Sequence, residues 1–456
     1  MDHTSVARRS RTLVARQPPP PEPEDAAITA VRDPDLADSV ARLIPRLRRS
    51  LRGDVHTDVV TRALYASDAS NYRVLPAATA VPLDADDLAT VVVLAAEASV
   101  PLTMRGAATS IAGNAIGPGI VVNLTRHLAG ILELDPEAAT ATVLPGTVLD
   151  DVNRAAALHG LRVGPDPSTH SRATVGGMLG NNACGPHSVR WGTMADATMG
   201  LELVTVDGVR RRVGDLRGPA SLAGTPLDQP LQGRIAELLD RHGDAIRRDL
   251  PPWPRRVSGY ALDWLLPERG GDVARALVGS EGTCAVVSAA TIRLVRPPVV
   301  RGLLVLAFAD DITAAAAVPS LLPEAPFTVE SLTADLLAGW RDPGLLPAGG
   351  AWLLVEAGGE DAAAMRDHAA RLARAVGMMP GALDAPLLED AGAQSVLWKV
   401  REDGAGRAAR LPDGSPGWPG FEDGVVPPNR LAAYLVELLE LLCTLEMQVV
   451  TFCNLG

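Results

Sequence analysis

Residues 164–192 read GPDPSTHSRATVGGMLGNNACGPHSVRWG, and this stretch decides the fold. It holds six glycines (164, 176, 177, 180, 185 and 192) and the adjacent pair Asn181-Asn182, with almost no long aliphatic run. A chain gives up side-chain burial in this way where its backbone must come close to something, because glycine takes up positive φ freely and has no Cβ to hold a ligand away. A second glycine-rich loop, Arg105-Gly-Ala-Ala-Thr-Ser-Ile-Ala-Gly-Asn114, lies upstream, and a third, Gly279-Ser-Glu-Gly-Thr283, lies downstream. One such loop would be a turn. Three in one region point to a long, flat, phosphate-bearing ligand.

The chain around them has 456 residues, enough for two or three domains and a sizeable core. Its formal net charge of −12 excludes nonspecific nucleic-acid binding, which needs a basic surface. The four cysteines (184, 284, 443 and 453) form no Cys-x-x-Cys pair, so neither a zinc ribbon nor an iron–sulfur cluster is expected. Scattered thiols fit a reducing, cytoplasmic location. Arg8-Arg9-Ser10-Arg11 resembles the start of an export signal, but the following VARQPPPPEPED lacks the apolar core such a signal needs. No run reaches about 18 apolar residues, so no membrane span is expected.

The polar, proline-rich stretch 1–35 reads as a disordered tail. Folding is expected to begin near Leu36 with a helix to Arg52 that breaks or kinks at Pro45. Leu88–Ala98 reads as a helix capped by Asp86 or Asp87, and Val148–His159 as a helix stopped by Gly160. Residues 120–124, 141–144 and 284–294 read as strands. Residues 201–206 and 209–213 read as a hairpin closed by a type I′ turn at Asp207-Gly208. Pro297-Pro298 is a natural domain boundary. Beyond it, strands at 303–308 and 352–356 alternate with helices at 312–322 and 362–376, then a loop-rich stretch 378–425 and an apolar helix 431–445. The class is α+β, with domains at 36–297 and 298–456.

Small residues at 106–110 leave successive backbone N–H groups unshielded. Such a row forms a concave anion site, and Thr109 and Ser110 add hydroxyl donors. A pyrophosphate is the natural ligand; the competing reading is a Gly/Ala-rich turn after Pro101-Leu-Thr-Met104. No Gly-Lys-Ser/Thr follows, so this is not a Walker loop, and no Gly-x-Gly-x-x-Gly stands at a strand-to-helix junction.

RGAATSIAGN, DPSTHSRATVGGMLGNNACG and GSEGT, in that order, resemble the flavin-binding domain of the vanillyl-alcohol oxidase / p-cresol methylhydroxylase superfamily. Within it the chain resembles the D-lactate, glycolate and D-2-hydroxyglutarate dehydrogenase branch, and in particular the flavin half of bacterial flavin/iron–sulfur fusions. The resemblance implies a two-subdomain FAD-binding domain followed by a substrate (cap) domain. It implies that Arg105, Gly106, Ala107, Ala108, Thr109, Ser110, Gly113 and Asn114 wrap the FAD pyrophosphate. It implies that Pro167, Ser168, Val175, Gly176, Gly177 and Asn182 line the cofactor, and that Gly279, Glu281, Gly282 and Thr283 face the same cavity. Where some relatives carry a histidine bonded to the flavin, this chain has Thr109, so the FAD is expected to be noncovalent.

Oxidising a D-2-hydroxy acid needs a cation for the carboxylate, a base for the hydroxyl proton and an acceptor for the hydride. The segment Leu397-Trp-Lys-Val-Arg-Glu402 resembles the family's, which implies that Arg401 pairs with the substrate carboxylate through its guanidinium fork. The other reading of Arg401 is a surface arginine paired with Glu402 or Asp403. Glu422 and Asp423, in a segment that also matches, read as loop residues near the site. His170 and His187 lie in the second loop, either near the flavin ring or bonded to backbone.

Relatives carry a Gly-His-x-Gly-Asp-Gly-Asn/Cys-x-His segment after the helix matching 431–445. Here the chain reads TLEMQVVTFCNLG over 444–456, so no metal site is expected, the base stays unassigned and the cap domain reads as incomplete. Three readings follow. The first is a flavin-dependent D-2-hydroxy-acid dehydrogenase with a small-molecule substrate and an electron-accepting partner protein. The second is an FAD-binding fragment without turnover. The third is a globular protein whose loops are plain turns.

Overall fold

The computed structural model describes residues 34–450 apart from 220, 221, 223, 251, 252, 254, 258, 378, 409, 410, 412–423 and 448. It divides into two units. One comprises the described residues up to Gly185 together with Trp191–Pro297; the other comprises Pro186–Arg190 and the described residues from Pro298. The expected tail falls outside the described residues except for Pro34 and Asp35, which already belong to the first helix.

That helix, Pro34–Ser50, buries Val40, Leu43, Ile44 and Leu47, spaced to form one apolar face. It runs through Pro45, so the expected break does not occur: the buried face on either side of the proline holds the helix together despite its missing N–H. It packs with helix Ala85–Glu97 against a four-stranded sheet ordered 54–56, 78–81, 120–123, 102–105. The last three strands are mutually parallel, and their run of buried Val, Ile and Ala reflects a sheet covered by helices. The cap of helix Ala85–Glu97 is Asp84, not Asp86 or Asp87: its carboxylate accepts from the N–H groups of Asp86 and Asp87. Asp87 is buried and instead accepts from the N–H groups of Gly53 and Leu83.

The second sheet of this unit runs 225–226, 210–214, 198–204, 286–295, 140–143, 131–135, with 162–163 paired to the end of the long strand 286–295. The hairpin 198–204/210–214 forms, but its turn is not type I′. Gly208 has φ +75° while Asp207 is absent from the positive-φ residues, and the Gly208 N–H donates to Thr205 O at 2.8 Å. The turn therefore closes one residue wider, with glycine alone in the left-handed region. Helices Leu149–Ala157 and Val175–Gly180 cover one face of this sheet, with Leu149, Val152, Val175, Met178 and Leu179 in its core. Helix Gln229–Asp249 was not anticipated; its buried positions are few and its faces mostly polar.

The other unit is built on strands Val300–Phe308, Ala351–Gly359 and Thr328–Thr333, ordered with Thr328–Thr333 at one side and 382–384 and 387–388 at the other. Strand alternation sends Leu304, Leu306, Phe308, Leu353 and Val355 toward helices Asp311–Leu321 and Ala362–Val376. Leu303, Val305, Leu332 and Leu354 go to the opposite face with Leu397 and Val400. The latter two belong to helix Ala391–Glu402, inside the stretch read as loop-rich. Its start is marked by Asp390, whose carboxylate accepts from the Ala393 N–H at 2.8 Å.

Candidate functional site

The three glycine loops converge within the first unit. Gly106 of the first loop faces the second so closely that a Cβ there would lie 2.2 Å from Thr174 Oγ1. Asn114, closing the first loop, donates from Nδ2 to Glu281 Oε2 of the third at 2.5 Å. The second and third loops are joined through backbone: the Gly279 N–H donates to Leu179 O at 2.8 Å and the Glu281 N–H to Gly180 O at 2.9 Å. A Cβ on Gly279 would lie 3.2 Å from Asn182 Cβ.

The first loop leaves strand 102–105 with Arg105. Its guanidinium lies 5.2 Å over the Tyr65 ring and donates to the carbonyls of Tyr65 and Ala115. Burial lowers its pKa from the usual guanidinium value. The side chain thus braces the loop from behind. What the loop offers is its main chain: the N–H groups of Ala107, Ala108, Thr109, Ser110 and Ile111 make no hydrogen bond to the described residues. Ala108 (φ +58°) and Gly113 (φ +85°) turn the backbone. Ser110 Oγ is held by Asn114 Oδ1 at 2.6 Å, and the Ala69 N–H fixes Ala108 O at 3.1 Å. Consecutive unpartnered amides flanked by small side chains are a cradle for an anion.

In the second loop, Pro167 O accepts from the His170 N–H at 2.8 Å and Ser168 is exposed in the same turn. Val175 is fully buried; Gly176 packs on Pro145, where a Cβ would lie 2.6 Å from Pro145 Cβ. The Gly177 N–H is capped by Thr174 Oγ1 at 3.3 Å. Asn182 is buried at φ +47°, its Oδ1 accepting from the Ala195 N–H at 2.9 Å. In the third loop Gly282 (φ +73°) and Thr283 are exposed, and Thr283 Oγ1 donates to Ser280 O at 2.6 Å.

A fourth segment, unremarked in the sequence, joins the cluster. Arg255 Nη2 donates to Gly185 O at 2.9 Å, and Tyr260 Oη bonds Thr283 Oγ1 at 2.8 Å. Its signal was an Arg-Arg pair and a Gly-Tyr pair in a stretch otherwise without pattern.

Other candidates stand elsewhere. Arg401 belongs to the second unit and is buried, with Nη2 on the carboxylate of buried Glu330. This corrects the reading that pairs it at the surface with Glu402 or Asp403: helix 391–402 turns Arg401 inward with Leu397 and Val400. His187, at 7% exposure, has Nε2 3.3 Å from Glu356 Oε1 in that unit. His170 has Nδ1 2.8 Å from Asp150 Oδ1. Glu422 and Asp423 lie outside the described residues. Among the described residues, no group of three His, Cys, Asp or Glu side chains could hold a metal ion, and no helix is long and apolar enough to cross a membrane.

Residues 76–214 match the FAD binding domain family and residues 297–456 the FAD linked oxidases C-terminal domain. The chain is similar to a D-2-hydroxyglutarate dehydrogenase of Pseudomonas putida, 32% identical over 64% of this chain and 30% of that protein. It is similar to the glycolate oxidase subunit GlcD of Bacillus subtilis, 27% identical over 87% of this chain and 74% of that one. The fold matches that of an alkyldihydroxyacetonephosphate synthase with a TM-score of 0.54 at 15% identity, over 76% of this chain and 61% of the other. The chain belongs to the FAD-linked oxidases, in the branch of the D-lactate, glycolate and D-2-hydroxyglutarate dehydrogenases. It spans less than a third of the length of the Pseudomonas relative. The C-terminal match runs through residues 444–456, so an FAD linked oxidases C-terminal domain is present.

Proposed function

We propose that this chain binds FAD noncovalently at the three converging loops and oxidises a D-2-hydroxy acid to the 2-oxo acid. The observation that carries the reading is the row of amides from Ala107 to Ile111, which have no partner among the described residues and lie on a loop held by the other two. Diphosphate oxygens would satisfy them, with residues 105–114 on the diphosphate and 167–182 and 279–283 along the rest of the nucleotide. When bound, FAD supplies the hydride acceptor. Thr109 offers no nucleophilic ring nitrogen for a covalent link. Residues 36–297 form the FAD-binding half and 298–456 the substrate half.

Arg401 is assigned to the substrate carboxylate. Pairing with Glu330 orients its buried guanidinium, so an entering carboxylate must share it with Glu330 or displace that side chain. A separate protein in the cytoplasm is assigned as the electron acceptor. The test is anaerobic: the chain is reconstituted with FAD and mixed with D-lactate, D-2-hydroxyglutarate or glycolate. Bleaching of the flavin band by one of them is expected, with R401K needing much more acid for the same rate. A folded preparation that takes up no FAD, or bound flavin that no member of the panel reduces, overturns the reading.

A further inference from the structure

The loop cluster is rich in neutral donors, and the cation expected there is engaged elsewhere: Arg105 faces the carbonyls of Tyr65 and Ala115. Another cation reaches the cluster from outside its three loops. Arg255 reaches the second loop through Nη2, which donates to Gly185 O at 2.9 Å. Among the described residues, its buried Nε and Nη1 have no hydrogen-bond partner and no carboxylate lies within ion-pair distance of it. Its neighbour Arg256 differs: Arg256 is neutralised by Asp263, which also takes Arg269. Asp166, whose backbone packs against Gly185, is paired with Arg162 at 2.9 Å. A buried guanidinium with two unmet donor nitrogens is costly, and proteins compensate such a charge with an anion.

The surrounding backbone ties Arg255 to the same cluster. Tyr260 Oη bonds Thr283 Oγ1, and a Cβ on Gly279 would lie 3.5 Å from Val257 O. The segment carrying Arg255 therefore rests on both the second and the third loop.

We propose that Arg255 is the cation of this cluster, donating from Nε and Nη1 to an anionic oxygen of the bound flavin nucleotide. The inference rests on the reading that the loops hold FAD. Two sources offer such an oxygen: the diphosphate, and the pyrimidine edge of the flavin ring once reduced.

The test compares the full chain with R255M and R255Q. FAD and riboflavin affinities are measured by flavin fluorescence, together with apoprotein melting temperatures and the flavin midpoint potential. R255M is expected to weaken FAD binding at least tenfold while the apoprotein melts at the same temperature or higher, because an uncompensated buried charge has been removed. Loss confined to FAD, with riboflavin unaffected, identifies the diphosphate. Parallel loss of both, with a lower midpoint potential, identifies the ring. R255Q keeps an amide donor for Gly185 O but no charge, and should fold and lose FAD binding similarly even if R255M does not fold. FAD binding within twofold of the unaltered chain at unchanged potential, or reduced apoprotein stability in both variants, overturns the proposal. Failure of the unaltered chain to take up FAD sinks the functional reading itself, independently of position 255.

Discussion

The loop cluster of the first unit and the buried charged face of the second handle polar groups in opposite ways. In the cluster, five consecutive amides and two nitrogens of Arg255 have no partner among the described residues. On the sheet face, Glu330 holds Arg401 and Glu356 holds His187, each within a few per cent of full burial. Register puts the two glutamates on one face: Glu330 pairs across from Leu354 and Thr328 from Glu356. The donors of the first region have no partner among the described residues, whereas the charged groups of the second are paired with one another. Mutation should therefore cost binding in the first and stability in the second.

The largest effect tests the sheet face. Glu330→Leu leaves Arg401 buried without its carboxylate and should cost about 3–5 kcal/mol in urea unfolding. The double variant E330L/R401M should recover most of that; if it is as unstable as the single variant, the pair is not the source. Next comes Gly176→Ala. Its Cβ would meet Pro145 backbone oxygen at 2.8 Å, so backbone must shift. A loss of roughly 1–3 kcal/mol is expected, with FAD affinity at least tenfold weaker in a fluorescence titration. Gly233→Ala, on an exposed helix with nothing within 4 Å, serves as the contrast and should gain about 0.5–1 kcal/mol.

Glu281→Ala removes the bond from Asn114 and frees the first loop from the third. A stability loss near ~1 kcal/mol and a several-fold weaker FAD affinity would mark this bond as a brace for binding. Equal affinity in the variant would separate loop closure from cofactor affinity.

The smallest effect lies away from both regions, in the hairpin turn. The Arg211 guanidinium, by hydrogen bonding, holds the Asp207 carboxyl below its ordinary value of 3.8, against an opposing push from burial. A depressed folded pKa means the pair stabilises above the unfolded value, and that contribution is lost as pH falls through the folded one. The difference in urea midpoint between the unaltered chain and D207N should be present near neutral pH and vanish in strong acid. A difference independent of pH would assign the effect to the turn backbone instead.

Much was legible in the residues because the signals are local. Helix 362–376 follows its apolar periodicity and begins after Asp361, and the strands at 120–123 and 300–308 are β-branched or aliphatic runs. The glycine loops announced themselves because an exposed backbone demands small side chains wherever it occurs. Helix 391–402 was hidden by its mixed composition: its apolar face is short, and the residue that defines it is a charged one turned inward. The turn at Asp207-Gly208 was misjudged by one residue because the dipeptide suits more than one hairpin loop.

By itself the sequence determined the α+β class, the order of the loops and the kind of ligand they fit, since each depends on residue type and spacing along the chain. Only the tertiary structure decided that Gly106 abuts Thr174, that Asn114 reaches Glu281, that Arg105 turns back on its own loop and that Arg255 arrives beside Gly185. These are contacts between residues up to 167 positions apart, and a hydrogen bond or a buried charge is matched by whatever folding brings within reach.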